Sequence, residues 1–251
     1  MKITILVDNQ TGAAQNKLCA SEWGFSAFIE TQNENILFDT GHSDIFKNNA
    51  KNLKVDLDKT HFVTLSHHHW DHAKGLLHHD FKDKKKLIMH PDVLNKIPKE
   101  DLRKFKKDFE IVTSKEPLEF SSGIYFLGQI PRRTSYEKGM YENDKMLDDT
   151  ALAIKTKKGA VVVTGCSHSG ISNICEYAKE VTGQKIFSVL GGFHLFEDDP
   201  KAVEGAIKYF KAENPHSLYP MHCIDLPTIA KFYNEFKVKK MSAGDVIEFK
   251  L

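Results

Sequence analysis

Apolar residues fall along this chain in short, strand-length runs separated by polar turns, and the second half adds stretches with the 3.6-residue repeat of amphipathic helices. Residues 3–7 predict an edge or opening strand, closed by the polar turn at 8–12. Residues 24–30 and 35–39 flank the turn-like Thr31-Gln32-Asn33-Glu34 and predict a hairpin. A helix with Ser43 as N-cap is expected over 43–53, and a buried strand over 60–65, which alternates and is β-branched. A short helix over 71–77, a solvated charged turn over 82–86, a strand over 87–90 and a helix over 91–97 opened by Pro91 come next. From 99 to 115 charged and aromatic residues alternate without a readable period. A turn at 121–123 precedes a strand at 124–127, and 128–147 reads as one long loop, the kind that carries function. Residues 151–155 and 160–164 predict a second hairpin; strands at 186–190, 217–219 and 246–249 then alternate with helices at 171–181, 201–211 and 226–236. Sheets of this length need cover on both faces, so the pattern predicts an α/β protein with two packed sheets and helices outside.

Composition narrows the class. With 251 residues and 41% apolar content the chain can bury a large core, and nothing in it marks a partition, so a single domain over 1–251 is expected. A formal net charge of +1 gives no net-charge case for a nucleic-acid partner or an anionic membrane surface. The apolar runs are too short to span a membrane and the N-terminus lacks a secretory pattern, so a soluble cytoplasmic protein is expected. Cys19, Cys166, Cys175 and Cys223 show no C-x-x-C pairing and read as reduced thiols, with Cys166 and Cys223 set apart by the histidines beside them.

The chemistry is concentrated in His67-His68-His69-Trp70-Asp71-His72, directly after the strand expected at 60–65. Side chains two apart on an extended segment point the same way, so His67 and His69 can chelate one ion while His68 faces elsewhere. A tight turn brings Asp71 and His72 towards a second ion. Mixed nitrogen and oxygen donors suit Zn²⁺, Mn²⁺ or Fe, whereas Ca²⁺ and Mg²⁺ prefer oxygen alone. His168, His194 and His222 each stand just after an apolar strand beside glycine or proline, and three such placements turn a common packing residue into a candidate ligand. His61, His78, His79, His90 and His216 lack that context and read as surface or packing residues. Asp39, at a strand end before Gly41, is either an Asx-turn or a residue set close to the site. Arg132 and Arg133, in the long loop with Thr134, Tyr136 and Glu137, form either a solvated segment or a receptor for an anion, with Arg132, Thr134 and Glu137 as the substrate-binding candidates.

His67-x-His69-x-Asp71-His72 after a buried strand, Phe38-Asp39-Thr40-Gly41 upstream, Val163-Thr164-Gly165 downstream and a late His222 resemble the metallo-β-lactamase superfamily over essentially the whole chain. Ile130-Pro131-Arg132-x-Thr134-x-Tyr136-Glu137, Asp148-Asp149-Thr150-Ala151-Leu152, Thr164-Gly165-Cys166-Ser167-His168-Ser169-Gly170-Ile171, Gly191-Gly192-Phe193-His194-Leu195 and Pro220-x-His222-Cys223 resemble, more narrowly, its dihydropterin ribofuranosyl-aminobenzene 5′-phosphate synthase-like branch. The resemblance implies a four-layer αββα sandwich, a site for one or two divalent metals, and hydrolysis. It matches His67 and His69 to the first ion, Asp71, His72 and His222 to the second, and Asp39 to an aspartate that orients the cluster. Two positions depart from the superfamily pattern. Asp148 or Asp149 stands nearest to where a histidine usually completes the first site, and Cys166 replaces the usual bridging aspartate. His168 is favoured as the extra ligand, with Cys166 and Asp149 as alternatives.

Two divalent ions, zinc first, would activate a water to attack a small anionic substrate, phosphorylated or pterin-like, with Asp71 handling the proton and His194 aiding the leaving group. The competing readings are a di-iron redox or oxygen-handling protein and a metal-stabilised binding module for a pterin or nucleotide.

Overall fold

A computed structural model describes residues 1–12, 18–137 and 139–249. The chain divides into two compact units, residues 1–114 with 241–251 and residues 115–240. Each unit is a mixed sheet with helices packed on it.

The first unit holds strands β1 (Lys2–Val7), β2 (Ser26–Glu30), β3 (Asn35–Phe38), β4 (Phe62–Thr64), β5 (Lys85–Met89), β6 (Phe109–Thr113) and β13 (Val246–Glu248), in the order β13-β1-β2-β3-β4-β5-β6. Pairing is antiparallel from β13 to β3 and parallel from β3 to β6. The expected hairpin is present, but β1 is no edge strand, because the distant β13 covers its outer side. Helices α1 (Ile45–Asn52), α2 (Trp70–Ala73), α3 (Val93–Lys96) and α4 (Lys99–Asp108) complete the unit, with 3₁₀ turns at Leu57–Lys59 and Lys74–His78. Phe46 of α1, Leu76, Phe105 of α4 and the strand residues Leu37, Val63 and Leu87 form its core. Ser43 lies one residue outside the N-cap Asp44, and its hydroxyl takes the Ile45 amide. The stretch over 99–115 resolves into α4 and β6: Phe105 is the helix's one fully buried residue, too few for a legible stripe. Lys85 and Lys86 belong to β5 and not to the preceding turn.

The second unit holds β7 (Leu118–Ser121), β8 (Ile124–Phe126), β9 (Ala151–Thr156), β10 (Gly159–Thr164), β11 (Ile186–Gly192) and β12 (Ser217–Met221), in the order β12-β11-β10-β9-β8-β7. β7 to β10 pair antiparallel and β10 to β12 parallel. β10 is buried along its whole length, as a near-continuous apolar run in the middle of a sheet should be. Helices α5 (Ile171–Thr182), α6 (Pro200–Glu213) and α7 (Leu226–Phe236) pack against it through Ile174, Phe210 and Phe232. α5, α6 and α7 lie within two residues of their expected bounds, and the expected strands extend by two residues into Gly192 and Met221.

This topology positions the chemistry. Parallel neighbours end at the same sheet edge, so residues just past β3 and β4 come together, and so do those past β10, β11 and β12. Asp39 and residues 66–72 follow the first pair; Cys166, His168, His194 and His222 follow the second set. No helix among the described residues is long and apolar enough to cross a membrane.

Candidate metal centre

In the first unit Asp39 is the organising residue. It is fully buried and sits at φ 51°, a left-handed backbone that Asp tolerates better than most residues and that turns its carboxylate under the histidine loop. Oδ1 accepts the Ser66 amide at 2.7 Å; Oδ2 accepts the Ser66 hydroxyl at 2.6 Å and the Nδ1–H of His72 at 2.7 Å. Ser66 Oγ also lies 2.8 Å from Nδ1 of His67. Because that hydroxyl has one proton and gives it to the carboxylate, His67 must donate from Nδ1. Both histidines are thereby fixed as Nδ1–H tautomers, with the lone pair on Nε2.

The rest of the loop is held by backbone. Thr40 donates its amide and its hydroxyl to the His72 carbonyl at 2.9 and 3.0 Å, and Phe25 its amide to the Asp71 carbonyl at 3.4 Å. Gly24, at φ 150°, permits this approach: a Cβ there would lie 2.5 Å from the Asp71 carbonyl oxygen. His69 starts α2, so Asp71 and His72 occupy its first turn. The rings of His67 and His69 have centroids 4.6 Å apart, those of His67 and His72 4.3 Å, and Asp71 Oδ2 is 3.6 Å from His72 Nε2. His68 instead lines a separate cleft with Trp70, Lys74 and Phe105, as its position on the strand predicts.

In the second unit His168, His194 and His222 are brought to one sheet edge. Ser167, His194 and His222 have φ of 66°, 49° and 48°; left-handed non-glycine residues at three strand ends are the kind of strain that collects at functional sites. Ser167 is pinned by Thr164 Oγ1 at 2.8 Å and by donation to the Gly192 carbonyl at 2.5 Å. Ser169 gives both its amide and its hydroxyl to Asp149 Oδ2 at 2.9 and 2.5 Å, which secures the backbone next to His168. Burial pushes the Asp149 carboxyl up despite those bonds. The rings of His168 and His194 lie 4.3 Å apart, and Tyr141 meets both edge-on, at 5.2 and 6.2 Å. These rings, with Phe196, Glu142 and Asp198, line a cavity of about 700 Å³.

Cys166 and Cys223 are buried thiols with Sγ atoms 2.9 Å apart. Contact with Cys166, and next the charge and ring contacts of His222 and His194, hold the Cys223 thiol well below its ordinary value. Cys175, inside the core of α5, is by contrast pushed well up by burial and behaves as an inert apolar group.

Arg132, Thr134 and Glu137, the residues expected to bind substrate, each make contacts within the second unit. Arg132 donates to the carbonyls of Ile130 at 2.6 Å, Lys145 at 3.0 Å and Met146 at 2.6 Å, and its stem packs on Gly139, so its guanidinium closes the long loop on itself. Arg133 is exposed and forks onto Glu180. Glu137 caps α5: its oxygens accept the amides of Ser172 at 2.8 Å and Asn173 at 3.2 Å and the Thr134 hydroxyl at 2.9 Å, a service the N-cap Gly170 has no side chain to perform. Burial raises the Glu137 carboxyl and those donors oppose the shift. Arg132, Thr134 and Glu137 therefore hold the loop and the helix start. Arg132→Ala is expected to cost about 1–2 kcal/mol, a fall of roughly 2–8 °C in Tm, for a partly exposed cation bonded to carbonyls. Activity on charged and neutral substrates should fall together; a rise in KM confined to anions would restore the receptor role.

His61 pairs with Glu34, His79 packs against Phe81 and Phe109, His90 is buried and His216 stacks on Phe187, which is the surface and packing use expected. Sequence reading overlooked Ser66 and Tyr141. Ser66 had a signal in its place between strand and histidine; Tyr141, in an irregular loop, had none.

Two sheets with helices, and histidines, cysteines and carboxylates gathered past the ends of parallel strands, define a metal-dependent hydrolase-like fold. The chain belongs to the metallo-β-lactamase superfamily, whose model matches residues 24–176. It is 30% identical, over 99% of its length and 97% of the other's, to the 7,8-dihydropterin-6-methyl-4-(β-D-ribofuranosyl)-aminobenzene-5'-phosphate synthase of Methanocaldococcus jannaschii. An uncharacterised protein of the same organism is 34% identical over 91% of this chain and 93% of its own. A crystal structure of a metal-dependent hydrolase of the β-lactamase superfamily superposes with TM-score 0.85 at 29% identity, covering 99% of each chain.

Proposed function

We propose that this protein is a hydrolase with a dinuclear site, in which, as the superfamily resemblance implies, His67 and His69 belong to the first ion and Asp71 and His72 to the second, with His168 and His222 as further ligands and Cys166 as an alternative. The observation that carries the reading is the Asp39–Ser66 relay, which spends the Nδ1–H of His67 and His72 and so puts the lone pair of each ring on Nε2, the arrangement a metal-ligating histidine needs. The donor chemistry fits: imidazole, carboxylate and thiolate together suit zinc or iron, with manganese less matched to sulfur. Such ions supply Lewis acidity and a nucleophile at neutral pH. Asp71, the loop's carboxylate, takes up the proton of the attacking water, and His194 stands beside His168 to protonate the leaving group.

The substrate is a small anionic molecule whose negative group turns to the cations. Its ring end fits the cavity walled by Tyr141, Phe196 and His194, where Glu142 and Asp198 favour a planar group bearing N–H donors. A phosphorylated, pterin-like compound has both ends, in keeping with the name of the Methanocaldococcus relative. Asp149, whose carboxylate would have suited a di-iron centre, has one oxygen committed to Ser169.

Metal analysis of protein purified without added metal, followed by turnover of a generic phosphodiester and a lactone before and after chelation, tests the reading. Two ions per chain and chelator-sensitive hydrolysis are expected. A metal-replete protein inert to both substrates would sink hydrolysis, and an iron-type visible spectrum would move the assignment to redox chemistry.

A further inference from the structure

Cys166 follows β10 and Cys223 follows β12, with β11 between them in the sheet. Both are nevertheless tied to the chain that leaves β11. On one side Gly192 donates its amide to the Gly165 carbonyl at 2.8 Å and Ser167 Oγ donates to the Gly192 carbonyl at 2.5 Å, which holds both neighbours of Cys166. On the other, Leu195 donates its amide to the Cys223 carbonyl at 3.4 Å and pairs with Ile224 in an isolated parallel bridge. Gly192 lies between the cysteines: a Cβ on it would stand 3.1 Å from Cys166 Cα and 3.3 Å from Cys223 Cβ. With only hydrogen there, the two side chains meet across the middle strand, Sγ to Sγ at 2.9 Å.

Buried thiols are commonly inert packing groups, and Cys175 in the core of this unit is one. The pair at the strand ends differs in two ways. Each sulfur has the other as its neighbour, about 0.9 Å farther than a disulfide bond would hold it, so a small side-chain movement closes the gap. Each cysteine is also next in sequence to a non-glycine residue in left-handed backbone, Ser167 at φ 66° after Cys166 and His222 at φ 48° before Cys223. Strain of this kind persists where the surrounding structure has been built around a site.

We infer that Cys166 and Cys223 form a reversible disulfide and so make a site of regulatory oxidation. In reducing surroundings such a bond is transient and acts as a sensor, not as a staple. The oxidant is hydrogen peroxide. The sulfur of Cys223, the less covered residue at 6% exposure against 2%, attacks one peroxide oxygen; the O–O bond breaks, and water leaves with the thiol proton. The sulfenic acid formed on Cys223 is then attacked by Cys166 Sγ, the S–S bond forms, and hydroxide departs as water with the second thiol proton. Two electrons pass from the sulfurs to the peroxide, and a small dithiol reverses the bond by exchange. The bond takes the Cys166 sulfur away from any ion it would serve, but its formation does not depend on the metal-dependent reading.

Reduced, chelator-treated wild-type protein exposed to equimolar hydrogen peroxide, quenched in acid, alkylated and digested reads the bond without any variant. Alkylated thiols are expected to fall from four to two, with the peptides of Cys166 and Cys223 joined, and to return to four after dithiothreitol. In C166S and in C223S the cross-link should be absent and the remaining member of the pair should carry sulfenic or sulfinic acid. Four thiols surviving in the wild type, or a cross-link through Cys19 or Cys175 in its place, would overturn the inference. Repeating the reaction with zinc present keeps it distinct from the metal-dependent reading. Zinc is expected to slow the cross-link by occupying the Cys166 sulfur. An unchanged rate would strike Cys166 from the ligands and keep the disulfide, whereas no cross-link in the metal-free protein would end the disulfide and leave the metal reading standing.

Discussion

Asp71→Asn is expected to keep much of its metal and lose turnover by about 10²–10⁴-fold, the range contributed by a positioned proton-transfer group. Asp71 is the carboxylate of the six-residue loop, 6% exposed, with Oδ2 3.6 Å from His72 Nε2 in the first turn of α2. An amide of the same shape still offers an oxygen to a cation but cannot take up a proton. His67→Ala and His69→Ala should behave differently, losing the first ion itself, since each removes an imidazole from a pair whose ring centroids are 4.6 Å apart. Metal content measured beside kcat distinguishes the cases. Near-normal turnover in the asparagine variant would show that proton handling lies elsewhere.

The parts of this molecule that were legible in its sequence are those set by local chemistry. The histidine loop, the hairpin of β2 and β3, and the helices α5, α6 and α7 follow from strand alternation, turn residues and an apolar stripe within a dozen residues. Illegible were the features whose partner is far along the chain. Thr134 and Glu137 read as part of an anion receptor because Asn173 and Ser172, some 35 to 39 residues on, are invisible to a reading of the loop alone, and Arg132 because its partners are backbone carbonyls, which carry no side-chain signal. Cys223 meets Cys166 across 57 residues and an intervening strand. β1 read as an edge because β13 closes on it from the other end of the chain. α4 escaped because a surface helix with one fully buried residue carries almost no periodic signal.

The departures from the superfamily pattern have a common physical sense. Cys166 stands where the superfamily resemblance implies an aspartate, and a second thiol, that of Cys223, lies beside it. Asp149 serves by anchoring Ser169 beside His168. At a metal site, a thiol in place of a carboxylate would shift the preference towards thiophilic ions, and a firmly held backbone beside a histidine would aim its imidazole.

Alignment of those imidazoles is where Asp39→Asn should act. The backbone is not at issue, since asparagine accepts the left-handed φ of 51° as readily as aspartate does. The hydrogen bonds are. With its oxygen towards His72 Nδ1 and the Ser66 hydroxyl, the amide turns its NH₂ onto the Ser66 N–H, donor against donor, where Asp39 Oδ1 accepted at 2.7 Å. With the amide flipped, NH₂ faces His72 Nδ1, which must then accept, and the proton moves to Nε2, the atom needed by the metal. Either orientation leaves a fully buried group mismatched, at a cost of about 1–3 kcal/mol, or roughly 2–12 °C in Tm. Metal affinity should fall by about ten- to a hundredfold, as when the group behind a ligating histidine is removed. Competition against a chelator of known affinity reads the second effect, and histidine nitrogen shifts read the tautomer. Unchanged affinity with His72 still protonated at Nδ1 would mean that Asp39 shapes the loop without tuning the ligands.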